Sequence, residues 1–180
     1  MKSGIWMWVL VIATVGLFGF ALLGGESEAP LELVARQAQS PDNGEPEGLA
    51  PDISGSDING QLFDLASYRG EKPVILDFWA SWCPNCRRDM PNLNALYEKY
   101  ADQIEVVAVN LRESGDVASD YINSNGYTFT TLLDPNGAIA QQYDVRYTNY
   151  HVLIDKSGQI VNTFAGDIAE RHFEQLLQDS

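Results

Sequence analysis

Asp77-Phe78-Trp79-Ala80-Ser81-Trp82-Cys83-Pro84-Asn85-Cys86 holds both cysteines of the 180-residue chain, at a spacing that redox chemistry can use. Upstream, Pro73 to Trp79 is almost wholly apolar and reads as a buried strand. Downstream, Met90, Leu93, Leu96, Tyr97 and Tyr100 recur at helical spacing, so a helix opens at the Cys-Pro-Asn-Cys step. Pro84 suits the first helical turn, where its missing N–H costs nothing, and Pro91 marks a bend or restart of the same helix. Strand, Cys-x-x-Cys and helix in that order point to an α/β redox domain.

The flanking sequence extends this pattern. Ile104 to Asn110 is a β-branched apolar run that reads as a central strand, and Asp116 to Ser124 places Val117, Tyr121 and Ile122 on one helical face. This alternation predicts a sheet with a parallel portion, covered by helices on both faces. Thr130 to Leu133 reads as a further strand, Asp134 to Gly137 as a turn and Ala138 to Tyr143 as a short helix. Val152 to Asp155 and Ile160 to Phe164, joined by Lys156-Ser157-Gly158, form an antiparallel hairpin. A last helix runs from Ile168 to Gln178, with Ala169, Phe173, Leu176 and Leu177 inward. Before the central strand, Asn59-Gly60 between Ile58 and Leu62 gives a hairpin signal, and Ser67 to Gly70 a turn.

The N-terminal third is of another kind. Ile5 to Leu23 is 19 residues without a charge, about 28 Å as a helix and close to the thickness of a hydrocarbon core. We read residues 1–23 as an uncleaved membrane anchor, with a cleaved signal as the competing reading, because Phe20 to Gly25 offers only a weak small-x-small site. Lys2 precedes the span and Glu26 and Glu28 follow it, which places the domain outside the cytoplasm. Residues 24–49 are rich in Gly, Pro, Glu, Gln and Ser and read as a flexible tether, leaving residues 50–180 as one globular domain. The net charge is -14. Such acidity argues against nucleic acid and anionic lipid surfaces as partners.

From Ala50 to Gln178 the chain resembles the thioredoxin-like superfamily, and within it the membrane-anchored TlpA, ResA and DsbE type of extracytoplasmic thiol-disulfide protein. The resemblance rests on the Asp77 to Cys86 motif, Ala50-Pro51-Asp52, Asn59-Gly60 with Tyr68-Arg69-Gly70, Val107-Ala108-Val109-Asn110, and Val152-Leu153-Ile154-Asp155 with Gly158. It implies a thioredoxin-like α/β fold, with a central mixed β-sheet flanked by helices and an exposed dithiol at a helix start. That dithiol would exchange with a disulfide of a protein partner and be re-reduced by a membrane electron donor. No cofactor is implied beyond the Cys83–Cys86 disulfide itself.

The thiol chemistry also follows from the residues. Cys83, just ahead of a helix, sits where free N–H groups and the positive end of the dipole stabilise a thiolate, so it is the attacking thiol. Cys86, one turn on, is the more shielded resolving thiol. A purely structural disulfide is disfavoured because so short a loop removes little entropy from the unfolded chain. Structural zinc wants four ligands, and only His151 and His172 are left to complete a set.

By resemblance, Asp77 matches the buried acid that takes the resolving thiol's proton, and Asp89 matches a glutamate position near the dithiol. The alternatives are a salt-bridged or partly exposed strand end for Asp77, and for Asp89 a solvated first-turn acid. Trp82 resembles a partly exposed tryptophan of the docking surface, and Pro84 and Asn85 join it as candidate substrate-binding residues. Phe78 and Trp79 read as core or floor.

One element departs from the superfamily pattern. A cis-proline is expected ahead of Val152, but Thr148-Asn149 stands there, with Asn149 at the proline position. A cis bond without proline costs about 3 to 4 kcal/mol, so this peptide is expected to be trans, within a reshaped groove lined by Thr148 and Asn149. The expected function is an anchored protein-disulfide reductase, with apocytochrome c cysteines among the candidate substrates. The alternatives are a peroxiredoxin-like thiol peroxidase, since Ala50-Pro51-Asp52 also opens such chains, and a non-catalytic binding or metal-delivery module.

Overall fold

The computed structural model describes residues 48–180, so the apolar segment 5–23 and the tether up to residue 47 lie outside the described residues. Among the described residues no helix is long and apolar enough to cross a membrane.

The central strand is β3 (Val74–Trp79), and all six of its residues are buried. It is followed by α1 (Pro84–Tyr100), β4 (Glu105–Leu111), α2 (Gly115–Asn125) and β5 (Thr130–Asp134). These strands run parallel, β3 beside β4 and β4 beside β5, as two successive helical crossovers require. After the short helix α3 (Ala138–Gln142) the chain returns to the free edge of β3. There β6 (Tyr150–Ile154) pairs antiparallel with β3, and β7 (Ile160–Ala165) antiparallel with β6, before α4 (Glu170–Gln178) ends the chain. The result is a mixed five-stranded sheet in the order β5-β4-β3-β6-β7.

Strand alternation sorts β3 between two cores. Val74, Leu76 and Phe78 meet Val107, Val109 and Val152 on one face, together with Leu65, Ala140 and Val145. Ile75 and Trp79 face the other way, against α1 (Met90, Leu93, Leu96), α2 (Ala118, Ile122) and α4 (Phe173, Leu176). Asp77 lies in register between Ile75 and Trp79 and so points toward the three-helix face, as does His151 of β6, its direct cross-strand partner.

Three local expectations are corrected. The Asn59-Gly60 hairpin is real but wider than a two-residue turn: β1 (Ser54–Ser56) pairs with β2 (Leu62–Asp64) from Ser56 opposite Leu62. The intervening loop is organised by Asp57, whose Oδ1 accepts from the Asn59 and Gln61 N–H groups at 2.9 and 2.8 Å. The turn expected at Ser67 to Gly70 begins as a 3-10 helix over Leu65–Tyr68, because Asp64 caps it by accepting from Ala66 N–H. On α2, Val117 is exposed and Ala118 and Ile122 are inward. Ser114 caps this helix through the Val117 N–H, and the small Ala118 lets it lie close to the sheet.

The outlying motifs converge on one corner beside the start of β3. Arg69 donates to the Ala50 carbonyl at 3.1 Å and to Asp52 at 2.6 Å. Gly70 N–H donates to Lys156 O, and Ala50 N–H to Gly158 O. Gly158 has φ +88, and a Cβ there would stand 2.8 Å from the Arg69 Nε. Gly158→Ala is therefore expected to lower stability by at least about 1–2 kcal/mol through the left-handed backbone alone. Denaturant unfolding checks this, with disulfide exchange per folded molecule unchanged.

Candidate active site

Cys83 is the N-cap of α1, with extended backbone (φ -81, ψ 113), and Pro84 takes the first helical position. The two cysteines form a disulfide. The Cys86 N–H is directed at the Cys83 Sγ at 3.1 Å, so an orphan helix donor is aimed at the sulfur that would carry the thiolate charge. The family-implied exposed dithiol is corrected: Cys83 is 4% and Cys86 1% exposed, and both join the core cluster of Trp79, Ala80 and Met90. What reaches solvent around them is Trp82, 62% exposed, with Pro84 and Asn85.

The loop into Cys83 is held by a residue the sequence reading did not single out. Glu113, in the β4–α2 loop, accepts from Ser81 N–H at 2.7 Å, from Ser81 Oγ at 2.5 Å and from Asn110 Nδ2 at 2.7 Å. These bonds fasten the end of β3 to the end of β4, just ahead of the dithiol. Asn110 closing an apolar strand, with an acid shortly after it, was the available signal.

On the sheet face that α1 covers lies a buried acid–imidazole–acid row, its Asp89 on the same helix as Cys86. Asp77, His151 and Asp89 are 2%, 0% and 4% exposed. His151 Nδ1 is 3.4 Å from Asp77 Oδ1, and His151 Nε2 is 3.4 Å from Asp89 Oδ2. Nε2 also lies 3.0 Å from the Gly166 carbonyl, an acceptor only, so Nε2 carries a hydrogen and donates. Nδ1 and Asp77 Oδ1 then face each other at 3.4 Å without a hydrogen bond. Burial raises the Asp77 carboxyl to about 6, with His151 opposing and Asp89 adding to the rise. Burial also pulls His151 down, but the Asp89 hydrogen bond and the charges of Asp77 and Asp89 outweigh it and hold the imidazole above its usual value. Each group thus holds its proton to higher pH than it would in water, and neither Asp77 Oδ2 nor His151 Nδ1 has a hydrogen-bond partner.

Asp89 is not solvated. Both its oxygens accept from the Ile168 N–H, at 3.1 and 3.0 Å, and it sits one turn after Cys86 on α1. His172 is buried in a structural setting: its Nδ1 accepts from Ala169 N–H at the start of α4, its ring packs 4.2 Å from Phe164, and burial first, then Arg171 and His151, lower it to about 4.

The loop facing the dithiol contains no cis peptide, and Asn149 adopts a left-handed conformation at φ 57. Asparagine tolerates that region better than other non-glycine residues. Asn149 is 3% exposed, its N–H donating to Phe78 O and its carbonyl accepting from Gly166 N–H. Its side chain reaches Asp167, which pairs with Arg88 at 2.6 Å, and Arg88 donates to Asn85 Oδ1 at 2.9 Å. Asn85 and Asn149 are therefore joined through Arg88 and Asp167. The segment Gly166 to Ile168, which touches Asn149, His151, Arg88 and Asp89, is a further component the sequence reading missed.

A disulfide capping the helix that follows a central strand, in this sheet order, defines a thiol-disulfide exchange protein of thioredoxin-like fold. The chain belongs to the AhpC/TSA family, whose model matches residues 46–163. It is 35% identical over 130 residues to the thiol-disulfide oxidoreductase ResA of Geobacillus kaustophilus (strain HTA426), covering 72% of this chain and 74% of that protein. It is 30% identical over 172 residues to the thioredoxin-like protein YneN of Bacillus subtilis (strain 168), covering 94% of each. Its fold matches the thiol:disulfide interchange protein DsbE of Chlorobium tepidum with a TM-score of 0.65 and 32% identity, over 75% of this chain and 96% of that one. StoA of Bacillus subtilis matches with a TM-score of 0.62 and 26% identity, over 71% and 97%. The expected thioredoxin-like class holds, and by family and by its Cys83–Cys86 pair the chain is a thiol-disulfide oxidoreductase.

Proposed function

We propose that this oxidoreductase reduces disulfides of protein substrates outside the cytoplasm, anchored by its N-terminal apolar segment and recharged by a membrane-embedded dithiol donor. The observation that carries the reading is the Cys83–Cys86 pair at the start of α1, the helix that covers the Asp77–His151–Asp89 row. In the reduced state the Cys83 thiolate, stabilised by the helix N-terminus, attacks a substrate sulfur. A mixed disulfide forms and the first substrate thiolate leaves. Cys86 gives its proton to the unpartnered Oδ2 of the ionised Asp77 carboxylate, whose charge His151 favours. The Cys86 thiolate then attacks the Cys83 Sγ, the second substrate thiolate leaves, and two electrons have passed to the substrate. No cofactor takes part beyond the disulfide. Trp82, Pro84 and Asn85 on one side and Thr148 on the other form the substrate groove, with the buried Asn149 fixing the Thr148 turn through Phe78, Gly166 and Asp167, and apocytochrome c cysteines are one candidate occupant.

The peroxidase alternative loses its main support, because Ala50-Pro51-Asp52 is tied to Arg69 and Gly158 at the far end of β3 from the dithiol. The metal-delivery alternative is weakened because His151 is fully buried, with Nε2 on the Gly166 carbonyl and Nδ1 turned toward Asp77. The deciding measurement is the reduction potential of the Cys83–Cys86 couple. A value at or below thioredoxin's, about -270 mV, with turnover of a model protein disulfide, is expected; one near about -120 mV would assign the opposite direction. Peroxide turnover without disulfide turnover would favour the peroxidase.

A further inference from the structure

Against Trp82, the residue before Cys83, lies a groove of about 270 Å³. Trp82, 62% exposed, and Tyr147, 69% exposed, stand on its rim with Thr148, and Leu111 and Ala140 line it. Arg112 and Arg146 also line the groove. Residues 48–180 carry nineteen acidic and nine basic side chains, so a cation here stands out against the charge of the domain. Arg69, Lys72, Arg88, Lys99 and Arg146 each have a carboxylate partner; Arg112, like Arg87, Lys156 and Arg171, has none among the described residues, and of these four it is the one that lines the groove. Its sequence neighbour Glu113 is occupied by Ser81 and Asn110. Of the other carboxylates on this side, Asp144 is bound to Arg146, and Asp134 accepts from the Ile139 and Ala140 N–H groups.

The backbone places Arg112 there at a cost. Its φ is 59, a left-handed conformation that a non-glycine residue rarely adopts, and its N–H donates to Asp134 O. The guanidinium lies across Gly137, with Nε 3.8 Å from where a Cβ would stand. A strained residue next to a reactive centre, holding an unneutralised charge in a groove with two exposed aromatic rings, is suited to recognition.

We propose that this groove binds an acidic side chain of the polypeptide substrate, with the carboxylate on Arg112 and an adjoining apolar portion between Trp82 and Tyr147. The proposal specifies a substrate class for the reading above and rests on that reading for its catalytic meaning. A planar guanidinium is matched to a carboxylate, and the bond is charge-assisted. The groove therefore selects substrates carrying Asp or Glu close to the disulfide.

The test separates binding from exchange. Peptides with serine in place of both cysteines, differing only in Glu, Gln or Lys at one flanking position, are titrated into the oxidised full-length chain by calorimetry. The Glu peptide is expected to bind about tenfold more tightly than the Gln peptide, and the preference to shrink with added salt. Arg112→Gln should erase the preference and leave Gln-peptide binding unchanged. Arg112→Gly, which suits the left-handed backbone, should erase it equally while unfolding at no lower temperature. Equal binding of the Glu and Gln peptides to the unaltered chain, or a preference that survives both substitutions, would overturn the proposal. Exchange on the cystine forms of the same peptides tests the reductase reading independently, so a chain that discriminates without turning over would sink only that reading.

Discussion

Cys83→Ala is expected to abolish turnover of protein disulfides, whereas Cys86→Ser is expected to leave the first attack intact and accumulate a mixed disulfide on Cys83. The asymmetry follows from the two positions on α1. Cys83 is the N-cap, with the Cys86 N–H aimed at its sulfur, while Cys86 lies inside the first turn and is almost wholly buried. Without Cys83 no nucleophile faces the substrate; without the Cys86 thiol nothing expels it. Non-reducing electrophoresis and mass spectrometry of each variant with a single-disulfide substrate distinguish the two outcomes. Equal loss of the mixed disulfide in both variants would contradict the assigned order.

The second large effect concerns Asp77 and His151. Asp77→Asn is expected to slow the resolving step by about 100-fold or more, the usual weight of a positioned proton acceptor. His151→Asn should slow it less, because the carboxylate remains but loses the partner that keeps it ionised. In the unaltered chain the step should accelerate as pH rises through about 6, where burial, opposed by His151, sets the Asp77 carboxyl. In Asp77→Asn that acceleration should vanish. Stability should respond with the opposite sign. Between its ordinary value of 3.8 and about 6, folded Asp77 holds a proton that the unfolded chain has released, so stability falls as pH rises across that window. The fall amounts to at most about 3 kcal/mol. His151, also raised, adds in the same direction: its contribution is full below the unfolded value near 6.5 and is lost as pH climbs through the folded one. Denaturant unfolding of the oxidised protein at pH 4, 6 and 8, with and without Asp77→Asn, measures the slope. A rate profile unchanged by the substitution would remove Asp77 from the chemistry.

The part of this site nearest the cysteines was legible in the sequence. A continuous apolar strand, Cys-x-x-Cys and a helical stripe are local patterns, and each appears where its periodicity placed it, with β3, α1, β4 and β5 within a residue or two. The rest depends on register between segments far apart in the chain. Asp77 and His151 are direct cross-strand partners because β6 returns antiparallel to β3, and nothing local to either strand announces that alignment. A sign was present all the same: Asp77 and His151 each interrupt an otherwise buried apolar strand on its three-helix face. Glu113 and the Gly166 to Ile168 segment were less accessible, since loop residues become site residues only once the strands they follow are neighbours. Burial of the cysteines was misjudged for a related reason. Helix position predicts the charge preference of a sulfur but says nothing of the side chains packed around it.

The loop at Asn149 has a consequence for engineering. Introducing the superfamily's proline at this position would not by itself produce the superfamily's groove, because the ring would demand a φ near -65° where the backbone stands at 57 and would delete the N–H that bonds Phe78 O. The same backbone accepts glycine freely. Sequence space around this loop is therefore open toward Gly and closed toward Pro, and a chimera carrying a relative's facing loop would have to import the whole turn together with the Gly166 partner that clasps it.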